Sequence, residues 1–113
     1  MSDPRFRPRE MAAPSDRRLF GKASSITWLE GTTEAEKSRI AAARLQHTIA
    51  ARINSRLRDT GHSIHSYAQL TGIGYDRMAK VLRGEALMRL EDISDAERLL
   101  GDILDPAFER TAG

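Results

Sequence analysis

The stretch SIHSYAQLTGIGYDRMAKVLR, residues 63–83, decides the fold that the sequence predicts. It begins with Ser63, a preferred N-cap residue, and Gly72 follows the first apolar pattern where a helix end favours positive φ. A second pattern fills residues 75–83, and Gly84 closes it. The stretch therefore predicts two short helices joined by a tight turn. The apolar positions at helical spacing are Ile64, Tyr67, Ala68 and Leu70 in the first helix, and Met78, Val81 and Leu82 in the second.

The small and apolar residues around the turn have the spacing of a helix-turn-helix. Ala68 provides the small side chain where two such helices cross, and Gly72 forms the turn four residues later. Ile73 then fills the angle between the helices. In this motif the second helix usually enters the major groove of DNA, which makes Tyr75–Arg83 the predicted recognition helix.

Over residues 49–100 this pattern resembles the Cro-like (XRE-type) helix-turn-helix family of phage repressors, and most of all a temperate-phage immunity repressor. The resemblance implies an all-α fold, a small lambda-repressor-like helical bundle, to which this sequence adds a long first helix and a flexible N-terminal tail. Two residues depart from the family pattern. Ile64 stands where Gln is common, and Gly74 stands where Ser or a similar cap is usual, although Gly is itself a tolerable N-cap.

The composition limits the classes of protein to which the chain can belong. Its 113 residues fit one small domain with a tail and leave no room for the deep cleft of an ordinary enzyme. The absence of cysteine excludes disulfides and thiolate zinc sites and suits a reducing cytoplasm. There is no apolar run of membrane-spanning length and no signal-peptide pattern. Since no catalytic constellation or metal-ligand cluster is evident, we expect no enzymatic activity, no cofactor, no metal and no membrane contact.

Positive charge is concentrated in two parts of the chain. Residues 1–22 carry a net charge of +3 and residues 33–84 carry +5, whereas residues 85–113 carry −5. A cationic surface around the helix-turn-helix is what binding to DNA phosphates requires. We therefore expect double-stranded DNA as the partner, an acidic C-terminal third that faces away from it, and a cytoplasmic, nucleoid-associated location in a bacterial or phage-infected cell.

The region before the helices, residues 1–32, is predicted to be a basic and largely disordered N-terminal arm, because it is rich in Pro and Arg and lacks periodicity. A narrow minor groove attracts Arg side chains, so Arg5, Arg7 and Arg9 are candidates for a minor-groove arm. The alternative is a solvated leader without a role in binding.

Two apolar islands interrupt this region, the first at Leu19 and Phe20 and the second at Ile26–Leu29. Both are too short to fold alone. We expect them to pack back onto the helical domain with Trp28 as the anchor, and contact with a partner is the alternative.

A capping box at Thr33 and Glu36 predicts a helix that runs to about Thr60 and ends at Gly61. Family members usually begin with a shorter helix, so the first half of this one should project beyond the bundle. The DNA-binding domain is therefore placed at residues 33–104. The apolar residues that form its inward stripe are Ile40, Leu45, Ile49, Ile53 and Leu57.

A fourth helix is predicted from Arg89 to Leu100, followed by a C-terminal tail at residues 105–113. In the family a C-terminal helix often supplies the dimer contact. A homodimer through the C-terminal apolar patch or the long first helix is therefore one expectation, and burial of the patch against the chain's own core is the other. The inward residues of the helix are Leu90, Ile93, Ala96, Leu99 and Leu100, and the patch is Ile103, Leu104 and Phe108.

The outward side of the recognition helix is expected to read bases. Arg77 is the strongest candidate, since its guanidinium matches the two acceptors of guanine, while Asp76 suits a cytosine amino group or braces a neighbouring cation. The base-reading candidates are Gly74, Tyr75, Asp76, Arg77 and Lys80. The phosphate-contact candidates are Ser63, His65, Ser66, Arg83 and Arg56.

The sequence favours a sequence-specific, double-stranded-DNA-binding transcriptional repressor with its recognition helix in the major groove of an operator. That it blocks polymerase is implied by the resemblance. The alternative is an antitoxin-like or other interaction protein, which would use the helix-turn-helix for autoregulation and its tails to bind a protein partner. Ordering of the N-terminal arm by DNA would favour the first interpretation, and ordering by a second protein would favour the other.

Overall fold

The computed structural model describes residues 6–108, which fold into an all-α structure, as the sequence predicts. Two short 3₁₀-helices precede four α-helices. Arg5 and the last residues of the C-terminal tail lie outside the described residues, so the expectations for them stay predictions. The 3₁₀-helices are Pro8–Met11 and Pro14–Leu19, and the α-helices are α1 (Glu34–Thr60), α2 (Ile64–Thr71), α3 (Tyr75–Arg83) and α4 (Leu90–Leu100).

Helix α1 begins at the predicted capping box. The Glu36 backbone N–H donates to Thr33 Oγ1 at 3.1 Å, and the Thr33 N–H donates to Glu36 Oε1 at 3.2 Å. Its second half buries Ile49, Ile53 and Leu57, as expected. Leu45 is 61% exposed, so its predicted place in the inward stripe is wrong, because the buried face of this part of α1 carries Ala43, Gln46 and His47 instead.

The helix-turn-helix has the predicted bounds. Helix α2 is capped by Ser63, whose Oγ accepts the Ser66 N–H at 3.0 Å, and it ends at Gly72 with φ +81°. Helices α2 and α3 pack together, and the small side chain of Ala68, where the sequence predicts their crossing, is 2% exposed. Leu70 is 60% exposed and lies on the solvent side of α2, contrary to expectation. The core residues of α3 are those predicted, Met78, Val81 and Leu82, together with Ala79.

Helix α4 packs on α1 through Ala96, which is fully buried. Leu90 is 82% exposed, not inward, since it is the first residue of the helix. In the chain after α4, Ile103 and Phe108 are buried in the protein's own core and Leu104 is exposed. Most of the C-terminal patch is therefore buried within the chain. A homodimer contact through the patch could not use Ile103 or Phe108.

The N-terminal segment, defined here as residues 6–32, packs against the helices, so the predicted disorder is wrong for this part of the arm. Phe20 is 1% exposed, and its ring centroid lies 6.2 Å from that of Trp28 in an edge-on arrangement. The two apolar islands therefore pack back onto the bundle. Hydrogen bonds hold the segment's own turns together, from the Ala13 N–H to the Thr27 carbonyl at 2.9 Å and from the Leu29 N–H to the Met11 carbonyl at 2.9 Å.

Polar groups of α1 hold this segment in place. The Gly21 N–H donates to Nδ1 of the buried His47 at 2.8 Å, and Asn54 donates to the Gly21 carbonyl at 2.9 Å. The glycine is required here, because a Cβ on it would collide with the Leu82 carbonyl oxygen. None of the helices in the described part of the chain has the length and apolar character needed to cross a membrane.

Candidate nucleic-acid interface

The outer face of α3 is the first part of the candidate interface. Gly74 is the N-cap of the helix and has open space around it, and Tyr75, Asp76 and Lys80 are exposed. Tyr75 lies 5.8 Å from His65 between ring centroids, so the beginnings of α2 and α3 adjoin. Four of the five base-reading candidates therefore lie at the surface on or next to α3.

Arg77 is the exception, and the expectation that it points outward is wrong. Its Nη2 donates to Asp92 Oδ2 at 2.8 Å, and the two side chains are 29% and 7% exposed. The same carboxylate oxygen accepts the Arg89 N–H at 2.8 Å. Because α4 starts beside α3, the nearly buried carboxylate attracts the guanidinium away from the outer face. In this arrangement Arg77 joins α3 to α4 and does not present its guanidinium for bidentate reading of guanine.

The serines among the phosphate candidates lie at the start of α2. Ser63 Oγ is used as the helix cap, and Ser66 Oγ donates to the Ser63 carbonyl at 3.1 Å. Ser63 and His65 are exposed and Ser66 is half-buried. The start of α2 therefore lies at the surface next to Tyr75. The hydroxyl groups of Ser63 and Ser66 already take part in hydrogen bonds within this end of the helix.

The two arginines among the phosphate candidates have different environments. Arg83 lies 2.8 Å from Glu85 through Nε, and its side chain is 48% exposed, so its remaining nitrogens stay accessible. Arg56 was predicted to contact phosphate, but its Nε donates to the Gly101 carbonyl at 3.3 Å and its guanidinium lies 4.8 Å from the centre of the Phe108 ring. Arg56 therefore holds the chain after α4, and its contact with phosphate stays a prediction.

Arg9, a candidate for the minor groove, is engaged within the protein, and its contact with DNA stays a prediction. Its Nη1 lies 3.2 Å from Glu85 Oε2, and its backbone N–H donates to the Gly84 carbonyl at 3.0 Å. Both contacts tie it to the end of α3. Arg7 stays on the surface, 3.9 Å from Glu10.

A cleft of about 420 Å³ lies beside α3, between the end of α1 and the start of α2. Its polar lining residues include Asn54 and four basic or histidine side chains that we call the rim, which are Lys22, Arg58, His62 and Arg83. Of the rim residues, Lys22 comes from the N-terminal segment, and the other three come from the helices or the loop after α1. Sequence reasoning missed Lys22, because no local pattern brings a residue of the leader to α3.

The floor of the cleft is apolar and includes Leu57, Ile64 and Leu82, with Tyr75 at its edge. None of the residues that line it is acidic, although Glu85 lies next to the rim through its contact with Arg83. A cationic rim above an apolar floor suits a ligand that combines anionic and apolar parts.

A metal site has no support in the part of the chain that the structure describes. No group of three His, Cys, Asp or Glu residues there could hold a metal ion. His62 stands at the rim of the cleft, and His47 is buried under the N-terminal segment.

Side chains of α1 also position α3. Gln46 Nε2 donates to the Val81 and Ala86 carbonyls, each at 2.9 Å, and its Oε1 accepts the Met88 N–H at 2.9 Å. This buried amide ties the end of α3 and the following loop to α1.

Comparisons with protein-family models, with curated proteins and with solved structures give no match to this chain. The resemblance to Cro-like repressors therefore depends on the residues of the helix-turn-helix.

Proposed function

We propose that this protein is a sequence-specific, double-stranded-DNA-binding transcriptional repressor that places α3 in the major groove of an operator. The observation that carries the proposal is the helix-turn-helix itself. Helices α2 and α3 pack together, Ala68 of α2 is buried, and α3 buries one face and leaves the other exposed. A short helix supported in this way is the element that such proteins insert into DNA. Repression would follow from occupation of the operator, in the cytoplasm of a bacterial cell.

Lys80 takes the role of principal base reader in this proposal. It is exposed, and no described residue pairs with its ammonium group, which can donate to the N7 and O6 acceptors of guanine. Asp76 can accept a hydrogen bond from a cytosine amino group. Gly74 permits close approach of the backbone, and Tyr75 can pack against a thymine methyl group or donate to a phosphate.

An antitoxin-like or other interaction protein is the second candidate. The surfaces expected to bind a protein partner are partly used internally, since Phe20 and Phe108 are both buried. Leu45, a 61% exposed apolar residue of α1, favours this second function. It offers a contact for a partner or a second copy of the chain.

The test is selection of binding sites from random duplexes, followed by measurement of the mass of the bound complex. We expect enrichment of one short sequence, and the mass gives the number of chains that bind it. Lys80→Ala should lose about 1–3 kcal/mol of discrimination between the selected site and random duplex. Arg39→Ala, which removes an exposed cation on α1, is the matched control and should leave discrimination unchanged. If the purified chain ignores every duplex at low salt, the proposal is refuted.

A further inference from the structure

We infer that the cleft beside α3 is a second DNA-contact site, which takes the sugar-phosphate backbone of one strand next to the groove that α3 enters. This inference rests on the proposed function and extends the contact surface beyond the helix-turn-helix. It gives the N-terminal segment a role in binding through Lys22, which comes from outside the motif.

The charge of the cleft rim is the first argument. Lys22 and Arg58 are exposed, and within residues 6–108 no acidic group pairs with either side chain. In contrast, Arg9 and Arg77 are held by carboxylates. Cations without a carboxylate partner around one cavity create a local positive potential, which attracts phosphate and is not cancelled within the protein.

The fixed position of Lys22 is the second argument. The preceding residue, Gly21, is held by His47 on one side and by Asn54 on the other, and it approaches the Leu82 carbonyl more closely than any residue with a Cβ could. The backbone at Lys22 is thereby anchored against α1 and α3. A cation on an anchored backbone loses less conformational entropy on binding than one on a loose arm.

The shape of the cleft is the third argument. Its volume of about 420 Å³ exceeds what one phosphate group needs, and its floor is apolar. A deoxyribose can pack on Leu57 and Ile64 while its flanking phosphates meet the cationic rim. Tyr75 and Arg83 belong both to the cleft and to the exposed surface of α3, so a strand in the cleft borders the groove that α3 would occupy. This shared edge favours the DNA backbone over a free nucleotide.

The experiment measures affinity for a random-sequence duplex over a range of salt concentrations, because phosphate contacts do not depend on sequence. Each phosphate contact contributes about 0.9 to the slope of log K against log salt concentration. We expect Lys22→Gln and Arg58→Gln each to reduce the slope by about that amount, and the double variant to reduce it by about twice as much. Lys22→Arg, which keeps the positive charge, should keep the wild-type slope. Arg39→Gln, which removes one exposed cation away from the cleft, should leave the slope unchanged.

The outcomes separate the two proposals. If the wild type binds duplex and the cleft variants keep its slope, the inference is wrong and the proposed function stands. If the wild type binds no duplex at low salt, both are wrong. The same proteins are titrated with inorganic phosphate and with a deoxynucleoside monophosphate, followed by amide chemical shifts. Saturable binding of the mononucleotide that Lys22→Gln removes, with unchanged duplex slopes, would assign the cleft to a free nucleotide and overturn the inference.

Discussion

Two side chains show how the surroundings of a residue determine its role. Arg77 has the residue type of a base reader, but a carboxylate of α4 holds its guanidinium at 2.8 Å. His47 has the residue type of an acid–base or metal-binding group, but it is buried and accepts a backbone hydrogen bond from Gly21. In both cases the partner comes from another element of the fold, and the side chain stabilises the contact between the two elements.

Arg77→Ala should lower the free energy of unfolding by about 1–3 kcal/mol, because it leaves the nearly buried carboxylate of Asp92 without its cationic partner. A double-mutant cycle with Asp92→Asn, measured by urea denaturation, should show coupling between the two positions. On DNA, the variant should keep the wild-type ratio of affinities for selected site and random duplex. A selective loss on the selected site would show instead that Arg77 leaves Asp92 and reads a base.

His47 should make the protein less stable as the pH falls from about 7 to about 5. Burial lowers the pKa of His47, and its Nδ1 accepts the Gly21 N–H, which only the neutral ring can do. The unfolded chain therefore takes up the proton at a higher pH than the folded chain. The stabilisation is complete above the ordinary histidine pKa and is lost as the pH falls towards the lowered folded value.

The measurement is the free energy of unfolding by urea at several pH values. His47→Gln, which cannot titrate, should flatten the dependence over this interval. His62→Gln alters an exposed histidine and should retain the dependence. Asp16 should not contribute to the dependence in this interval. The hydrogen bond from the Thr27 backbone lowers the pKa of Asp16, so the contribution of its carboxylate to the free energy of unfolding is lost only at more acid pH. An unchanged slope in His47→Gln would contradict this account.

At the scale of single elements, the glycines that end the helices have unequal surroundings. Gly72 and Gly84 both adopt positive φ, at +81° and +78°. A Cβ on Gly72 would meet open space, whereas a Cβ on Gly84 would stand 2.7 Å from Cδ1 of Phe20. The end of α3 is therefore both a helix terminus and a packing surface for the N-terminal segment.

Gly72→Ala should cost about 1–2 kcal/mol, because it places an ordinary residue in the left-handed conformation. Gly84→Ala should cost about 1–3 kcal/mol more, since it also overpacks the site occupied by Phe20. Urea denaturation of the two variants gives the difference directly. Equal losses would mean that Phe20 moves aside without cost.

Local signals at the ends of the elements were sufficient to predict α1, α2 and α3. Thr33 and Glu36 cap the start of α1, and Ser63 caps the start of α2, while Gly61 and Gly72 end these two helices. Such signals can be recognised in a sequence because each acts through hydrogen bonds to residues a few positions away. Helical periodicity also predicted which candidate residues of α3 face outward, with the exception of Arg77.

The remaining part of the site could not be predicted, since it depends on pairs that are distant in the chain. Arg9 meets Glu85 across 76 positions, and Arg56 meets Gly101 across 45. No rule based on sequence spacing predicts contacts between residues so far apart in the chain. The low periodicity of residues 6–32 suggested disorder, but the segment is held by contacts with α1 and α3 that its own sequence does not show.

For the whole molecule, the N-terminal segment and the helices share one core. Phe20 belongs to the same cluster of buried side chains as Ile49, Tyr67 and Leu82. Trp28, the single tryptophan of the sequence, packs against this cluster from the N-terminal segment. The segment should therefore unfold together with the helices.

Unfolding followed by Trp28 fluorescence and by far-ultraviolet circular dichroism should give coincident transitions, because the first reports on the segment and the second on the helices. Phe20→Ala should shift both together, by about 3–5 kcal/mol. Leu29→Ala, at a partly exposed position of the same segment, is the control and should cost less. A fluorescence transition that precedes the loss of helix would show that the segment detaches independently.

The attachment of α3 is unequal at its two ends. Gln46 holds the Val81 carbonyl, and Arg9 and Phe20 meet Gly84, whereas Gly74 begins the helix without a side-chain cap and in open space. The first turn is held by side chains instead, since Arg77 pairs with Asp92 and Tyr75 lies beside His65. Both ends of α3 are therefore fixed to the fold, so that in the proposed complex the DNA would adapt to the helix where operators differ in groove width.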